Sequence, residues 1–309
     1  MNTQLLRGRN GGQYLCAALL IVAALVLAIC FAQFRSPENL GNIMVQATPL
    51  LLVAIGQTLV ILTNGLDLSV GVMVSLATAI LANAESPIIG LAMVFGSAVL
   101  LGLVNGVGVA RFRVHPIIMT LASSTVLQGI VLLVQPAPGG NVAPIFATAA
   151  NTWVGGIPVA VLWIALSMLF AWTLLNRSRF GLHLYSMGGG ADNAALAGVR
   201  VMRTQVASYV LCALLAAVAG VFLAGRISSG DPWVGTSYSL DSIAAVALGG
   251  TQLTGGIGGV LGTLCGTFLL GLVGNGMNLV QIDPFLLSVV NGCLLLAAVC
   301  LRRRQQLGL

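Results

Sequence analysis

Few side chains of this 309-residue chain are equipped for chemistry, and those few stand in apolar surroundings. Asp67 and Ser69 lie between Gly65 and Gly71 in "LTNGLDLSVGVMVS" (62–75). Asp241 and Ser242 lie in "GDPWVGTSYSLDSIAAVALGGTQLTGGIGG" (230–259). An Asp near the centre of a bilayer costs about 2.5–3.5 kcal/mol on insertion scales, so such a residue faces a cavity, a partner group or the membrane edge. Glycines on both sides let a helix stop and restart, with Asp67 or Ser69 capping the restarted half. Two readings of 62–75 stay open: a tight turn between spans, or a broken helix beside a transport path. In 230–259, Asp241 and Ser242 precede an apolar run as helix N-caps do, and Gly249 and Gly250 close it. Gly255, Gly256, Gly258 and Gly259 then permit tight turns and close helix contact.

Most enzymatic chemistry is excluded. All thirteen basic residues are Arg, so the Lys of a phosphate-binding Walker A loop, or of a Schiff-base or pyridoxal enzyme, is missing. His115 and His183 are the only histidines and stand apart from Cys and carboxylates, so no metal site is expected. The six cysteines (Cys16, Cys30, Cys212, Cys265, Cys293, Cys300) sit in apolar runs without CxxC spacing and read as small packing residues. Neither a catalytic residue nor a cofactor is expected, and the chain reads as a non-enzyme.

The elements that position these residues are membrane spans. Of the chain 58% is hydrophobic and 6% charged, against roughly 25% charged in a soluble domain. With about 20 apolar residues needed per helix, the sequence predicts ten spans at 14–34, 43–63, 68–84, 88–110, 117–134, 157–176, 206–225, 242–253, 257–279 and 285–301. The run 242–253 is too short to cross as a plain helix and reads as tilted, broken or re-entrant. The run 14–34 outlasts a signal-peptide core and lacks a small-x-small cleavage site, so it reads as a retained first span. The expectation is a single all-α membrane domain, 1–309.

Cytoplasmic loops carry an excess of positive charge. An N-terminus in the cytoplasm places Arg7, Arg9, Arg111, Arg113, Arg177, Arg179, Arg200, Arg203, Arg302, Arg303 and Arg304 inside, and only Arg35 and Arg226 outside. Ten spans then return the C-terminus to the cytoplasm, and Glu38, Glu85, Asp231, Asp241 and Asp283 fall on or near the outer side. The longest outer segment, 135–156, is an uncharged Pro- and Gly-bearing loop, either a surface for a partner or a spacer. "LLGLVNGVGVARFRVHP" (100–116) echoes "LLGLVGNGMNLVQIDP" (269–284). Their directions would oppose, as in the inverted repeats of transporters, or the two are merely similar Gly- and Leu-rich helices.

One polar stretch stands out: "SMGGGADNAALAGVRVMRTQ" (186–205). Asp192 is placed to cap a short helix over about 193–203, some 15 Å long, with Arg200 and Arg203 near its C-terminal end. Ala194, Ala195 and Gly198 then share one face. Such a helix either rests on lipid headgroups or fits a groove in a partner.

Taken together, "GLDLSVG" (65–71), "VHPIIMTLAS" (114–123), "GGADNAALAGVRV" (189–201) and "SLDSIAAVALGGTQLTGGIGGVLGT...LGLVGNGMNL" (239–279) resemble the permease subunits of bacterial ATP-binding cassette sugar importers of the ribose, xylose and galactose type. The resemblance runs from about 42 to 301. It implies a second permease copy, identical or different, a periplasmic sugar-binding protein outside, and an ATPase subunit inside. Lipid surrounds the chain and no nucleic acid is involved. The loop at about 177–205 would be the coupling loop, with Asp192, Ala194, Ala195, Gly198 and Arg200 meeting the ATPase. Asp67, Ser69, Gly71, Asp241, Ser242 and Asn275 are the candidates for the path or its gating. Ala191 stands where relatives often carry Asn, and Ile257 where they often carry a basic residue. The alternative is a secondary transporter that couples an ion gradient through Asp67. Sugars, polyols, nucleosides and branched-chain amino acids all stay open as solutes.

Overall fold

The structure, a computed structural model, describes residues 3–283, 286, 289–294 and 296, with side chains from Gly11 onward. It is built of helices: α1 (Thr3–Cys30), a 3-10 turn (Ala32–Arg35), α2 (Pro37–Leu62), α3 (Val70–Asn83), α4 (Pro87–Ala110), α5 (Pro116–Val134) and α6 (Pro144–Asn151). After a two-stranded ribbon of β1 (Trp153–Val154) and β2 (Ile157–Pro158) come α7 (Ala160–Arg177), α8 (Arg179–Met187), α9 (Ala191–Leu196), α10 (Val201–Ile227), α11 (Tyr238–Leu248) and α12 (Val260–Leu279). Proline supplies the first turn of α2, α4, α5 and α6, where its missing N–H costs nothing. Ser36 and Ser86 cap α2 and α4 by accepting the N–H of Asn39 (3.1 Å) and Ile89 (3.3 Å).

Among the described residues seven helices are long and apolar enough to cross a membrane: α1, α2, α4, α5, α7, α10 and α12. The expected spans 68–84 and 242–253 are shorter helices of 14 and 11 residues, α3 and α11. The expected span 285–301 lies mostly outside the described residues.

The core forms around α10, which packs on α2, α3 and α4. Gly102 and Gly106 of α4 bring that helix onto the backbone of α10 at Val210 and Val206, the close approach that small residues permit where lipid offers no hydrophobic driving force. Helices α2, α3 and α10 are largely buried, whereas α1, α5 and α7 turn large apolar side chains outward, as lipid-facing helices do.

The connecting segments gather at two ends. At the Arg-rich end, 63–64, 113–116 and 187–192 line one groove, and 255–256 packs on Leu62, Asn64 and Gly188. At the far end Gly139 bridges Gly230, and the segment expected as a loop, 135–156, holds α6 and the first strand of the ribbon. It docks on α10 through Asn151, whose Nδ2 donates to the Gly225 carbonyl at 3.1 Å. The two echoing sequences end in matching corners. Arg113 and Gln281 both take left-handed backbone (φ 54° and 57°), each three residues before a proline.

Candidate functional site

Between α2 and α3 the helix breaks, and residues 63–69 run irregularly through the protein interior. Backbone polar groups at such depth need partners from protein. The Gln57 amide of α2, turned to satisfy both, donates to the Asp67 carbonyl (3.1 Å) and accepts from the Asp67 N–H (3.2 Å). Thr120 of α5 donates to the Leu66 carbonyl (3.3 Å). Asp67 Oδ1 accepts from the Ser69 N–H (2.9 Å) and hydroxyl (2.5 Å), and Ser69 Oγ accepts from Asn105 Nδ2 of α4 (2.9 Å). Asp67, Ser69 and Asn105 are fully buried.

A second break mirrors the first. After α10, residues 228–237 descend along α3 before α11 begins. Asp231 Oδ1 accepts the N–H of Trp233, two residues on (2.8 Å), just as Asp67 does with Ser69. The two breaks then lock together reciprocally. Gly71 N–H donates to Ser239 Oγ (3.2 Å), while Gly235 N–H donates to Ser75 Oγ (2.9 Å). A methyl group on Gly71 would meet the Gly235 carbonyl, and one on Gly235 would meet the Gly71 carbonyl. Only glycine lets these backbones approach so closely. Further outward, Thr78 Oγ1 accepts the Asp231 N–H (3.2 Å) and Gln128 of α5 donates to the Pro232 carbonyl (3.1 Å).

At the Arg-rich end a second contact is made of backbone. Gly188, just after α8, abuts Gly255 and Gly256 so tightly that a side chain at Gly188 would overlap them. Tyr185 of α8 donates its hydroxyl to the Gly258 carbonyl (3.1 Å), and Gly256 N–H donates to the Leu62 carbonyl at the end of α2 (3.1 Å). The segment 186–200 is thus joined through the glycine loop to the helix that leads into the first break. Beside it opens a cavity of about 880 Å³, lined in part by Asn64, Arg113, His115, Asp192, Ala195 and Gln205.

Residues 39–299 match the family described as the branched-chain amino acid transport system / permease component. The chain belongs to that family. It is similar along nearly its whole length to the ribose import permease protein of Bacillus subtilis, 36% identical over 293 residues, 93% of this chain and 91% of that protein. The ribose import permease protein of Escherichia coli K12 is 35% identical over 94% of this chain and 92% of its own. The L-arabinose transport system permease protein of the same strain is 36% identical over 96% and 90%. No solved structure matches. With seven long apolar helices among its described residues, this permease component is a multi-pass membrane protein.

The permease component draws most of its expected path residues together. Asp67 and Ser69 lie in the first break and Gly71 in the first turn of α3, and Ser242 sits one turn beyond Ser239, its hydroxyl donating to the Ser239 carbonyl (3.1 Å). Asp241 lies on the same helix and accepts from Asn291 Nδ2 (3.2 Å). Asn275 is elsewhere, paired with Asn39 at the start of α2: each amide donates to the other's oxygen, at 2.8 and 3.2 Å.

Several local expectations are corrected. The coupling-loop helix does not run 193–203. It is the six-residue α9, ended by Ala197 and by Gly198 in left-handed backbone (φ 83°). Asp192 therefore lies in the first turn with Gly190 as N-cap, and Arg200 and Arg203 open the next helix instead of closing this one. Ala194 is buried while Ala195 and Gly198 are exposed, so the three share no face. Asp67 turns its carboxylate to Ser69, and Ser69, the N-cap of α3, makes no side-chain cap bond, so neither side chain caps α3. Asp241 and Ser242 lie inside α11, whose N-cap is Ser237.

Sequence reasoning missed Ser75, Gly235 and Ser239. The signal was present: Asp-x-x-Val-Gly-x-x-x-Ser occurs at both 67–75 and 231–239. Asn105 and Gln57 carried no such signal, being single polar residues in long apolar helices.

Proposed function

We propose that this chain is the permease subunit of an ATP-driven importer that carries a sugar or sugar-like solute across the bacterial inner membrane. Its relatives are named for import of ribose, arabinose and galactose, which supports a sugar. Ten spans place both termini in the cytoplasm, so the Arg-rich end faces inward. The echoing segments 100–116 and 269–284 belong to an inverted repeat, and the reciprocal bonds between Gly71, Ser75, Gly235 and Ser239 support that relation. A separate cassette ATPase docks on the inner face, a periplasmic solute-binding protein on the outer face, and a second permease subunit completes the passage.

The observation that carries the reading is the backbone continuity from 186–200 through Gly188 and Gly256 to Leu62. A bistable transporter needs packed elements that shift as bodies, since interfaces between them have discrete arrangements. When the ATPase closes, α9 moves with it, Gly188 pushes the glycine loop, and the loop displaces the end of α2. The broken pair α3 and α11 then reorients, and the passage opens to the other side. Neighbouring Asp192, Ala195, Gly198 and Arg200 are exposed and free to meet the ATPase, while Ala194 anchors α9 to the permease.

The test is Ala195→Arg, an exposed substitution that leaves the fold intact. Assembled with its ATPase and binding protein in proteoliposomes, the variant is expected to lose the ATP hydrolysis that the loaded binding protein stimulates. Normal stimulation would overturn the coupling role of this loop.

A further inference from the structure

The two broken segments differ in what their outer sides meet. The face of the second comprises Trp233, Thr236, Ser237 and Leu240, all exposed, with Trp233 54% and Leu240 59% accessible. This face lies about 9–12 Å along the helices from their ends. Ser75, which it packs against, is eight residues from the outer end of α3, about 12 Å at 1.5 Å per residue. Gln128, which holds Pro232, is six residues from the end of α5, about 9 Å by the same rise. Irregular backbone and polar side chains at such a depth are tolerated only when buried in protein or lining a water-filled passage. Here the described residues of this chain leave them exposed.

We propose that this face lines the route of the solute, with Trp233 as a stacking platform for a sugar ring and Thr236, Ser237 and Asp241 as hydrogen-bonding partners of its hydroxyls. The inference rests on the importer reading above. A sugar presents a flat patch of C–H groups on one side and hydroxyls around its rim. A half-exposed indole matches the patch, since aromatic rings provide a broad apolar surface at little entropic expense. The polar groups follow along the same segment. Thr236 spends its proton on the Trp233 carbonyl (2.7 Å), which leaves the oxygen's lone pairs toward the solute. Asp241 is held in place by Asn291. The arrangement suits a route: one stacking ring and a few polar groups give weak, directional contact, and a solute must leave as readily as it enters.

The experiment uses the complete importer in proteoliposomes with radiolabelled ribose, arabinose and galactose. In a chain whose six native cysteines are replaced by alanine, Thr236→Cys should react with a membrane-impermeant thiosulfonate, and Leu166→Cys on lipid-facing α7 should not. Trp233→Ala should lower the sugar carried per ATP hydrolysed roughly tenfold, within what one lost aromatic face contributes. ATP hydrolysis stimulated by the binding protein should persist, and Trp233→Phe should restore most of the transport. Reaction of Thr236→Cys with lipid-soluble maleimide alone would overturn the wet face. Wild-type transport by Trp233→Ala would overturn the stacking role. An intact complex that moves no sugar on ATP would defeat the importer reading, and the cysteine pattern would still decide whether this face meets water.

Discussion

The same nine-residue pattern folds twice in this permease component, and its two copies have opposite surroundings. The first, Asp67 to Ser75, is sealed among α2, α4, α5 and α10, with Asp67, Ser69 and Ser75 fully buried. The second, Asp231 to Ser239, makes the corresponding turn and the corresponding glycine contact, yet carries Trp233, Thr236 and Ser237 on an open side. Shared backbone geometry therefore does not mean shared duty. The buried copy is a pin that fixes where the bundle bends. The open copy spends the same geometry on presenting side chains.

The comparison breaks most severely where both copies depend on the same atoms. Gly71→Ala and Gly235→Ala each force a methyl group into the partner's backbone carbonyl. Backbone cannot rotate aside as a side chain does, and overpacking costs about 3 kcal/mol or more when nothing can yield. Both variants should show much the same large loss, read as unfolding by denaturing detergent in mixed micelles. A well-tolerated alanine at either position would mean that the segments separate easily.

The carboxylates should divide the copies. Asp67→Ala strips the acceptor from the buried N–H and hydroxyl of Ser69, and buried donors without partners cost about 2–3 kcal/mol together. Asp231→Ala removes an equivalent bond at an exposed site, where water replaces the lost acceptor and the loss stays within about 1 kcal/mol. Equal losses in the same unfolding assay would show the second turn to be as sealed as the first.

How much of this was legible follows from the kind of signal each part left. Long apolar runs announce spans because hydrocarbon demands them, and α2, α4, α5, α7, α10 and α12 overlap their expected ranges. The breaks were visible as Asp and Gly inside apolar sequence. What composition could not tell was where α11 starts: Asp241 resembles an N-cap, but the helix begins at Tyr238 because Ser239 is held by Gly71 and the Leu68 carbonyl (2.8 Å), which are distant in sequence. Likewise the helix expected over 193–203 fails at Gly198, whose left-handed backbone ends the turn and starts α10 afresh at Val201. Tertiary contact decided the first and a local glycine turn the second, and neither was encoded in periodicity.

The smallest effect gives the finest distinction. Ser75 and Ser239 exchange equivalent bonds with the opposite glycine, so a strict two-fold relation would make Ser75→Ala and Ser239→Ala equally costly. Their surroundings argue otherwise. Ser75 is fully buried and its bond from Gly235 is short at 2.9 Å, so alanine there strands an N–H with no water at hand, at a cost of about 1–3 kcal/mol. Ser239 is half-buried beside the open face, and its bond from Gly71 is longer at 3.2 Å. On the proposed route water reaches both groups that alanine would strand, the Gly71 N–H and the Leu68 carbonyl, which should hold the loss below about 1 kcal/mol. The double variant would show whether the two bonds act as one unit, since contacting residues couple by about 0.5–3 kcal/mol in such cycles. If Ser239→Ala proves as costly as Ser75→Ala, no water reaches that side. The passage would then run elsewhere, and Trp233 would face a dry contact with the second subunit.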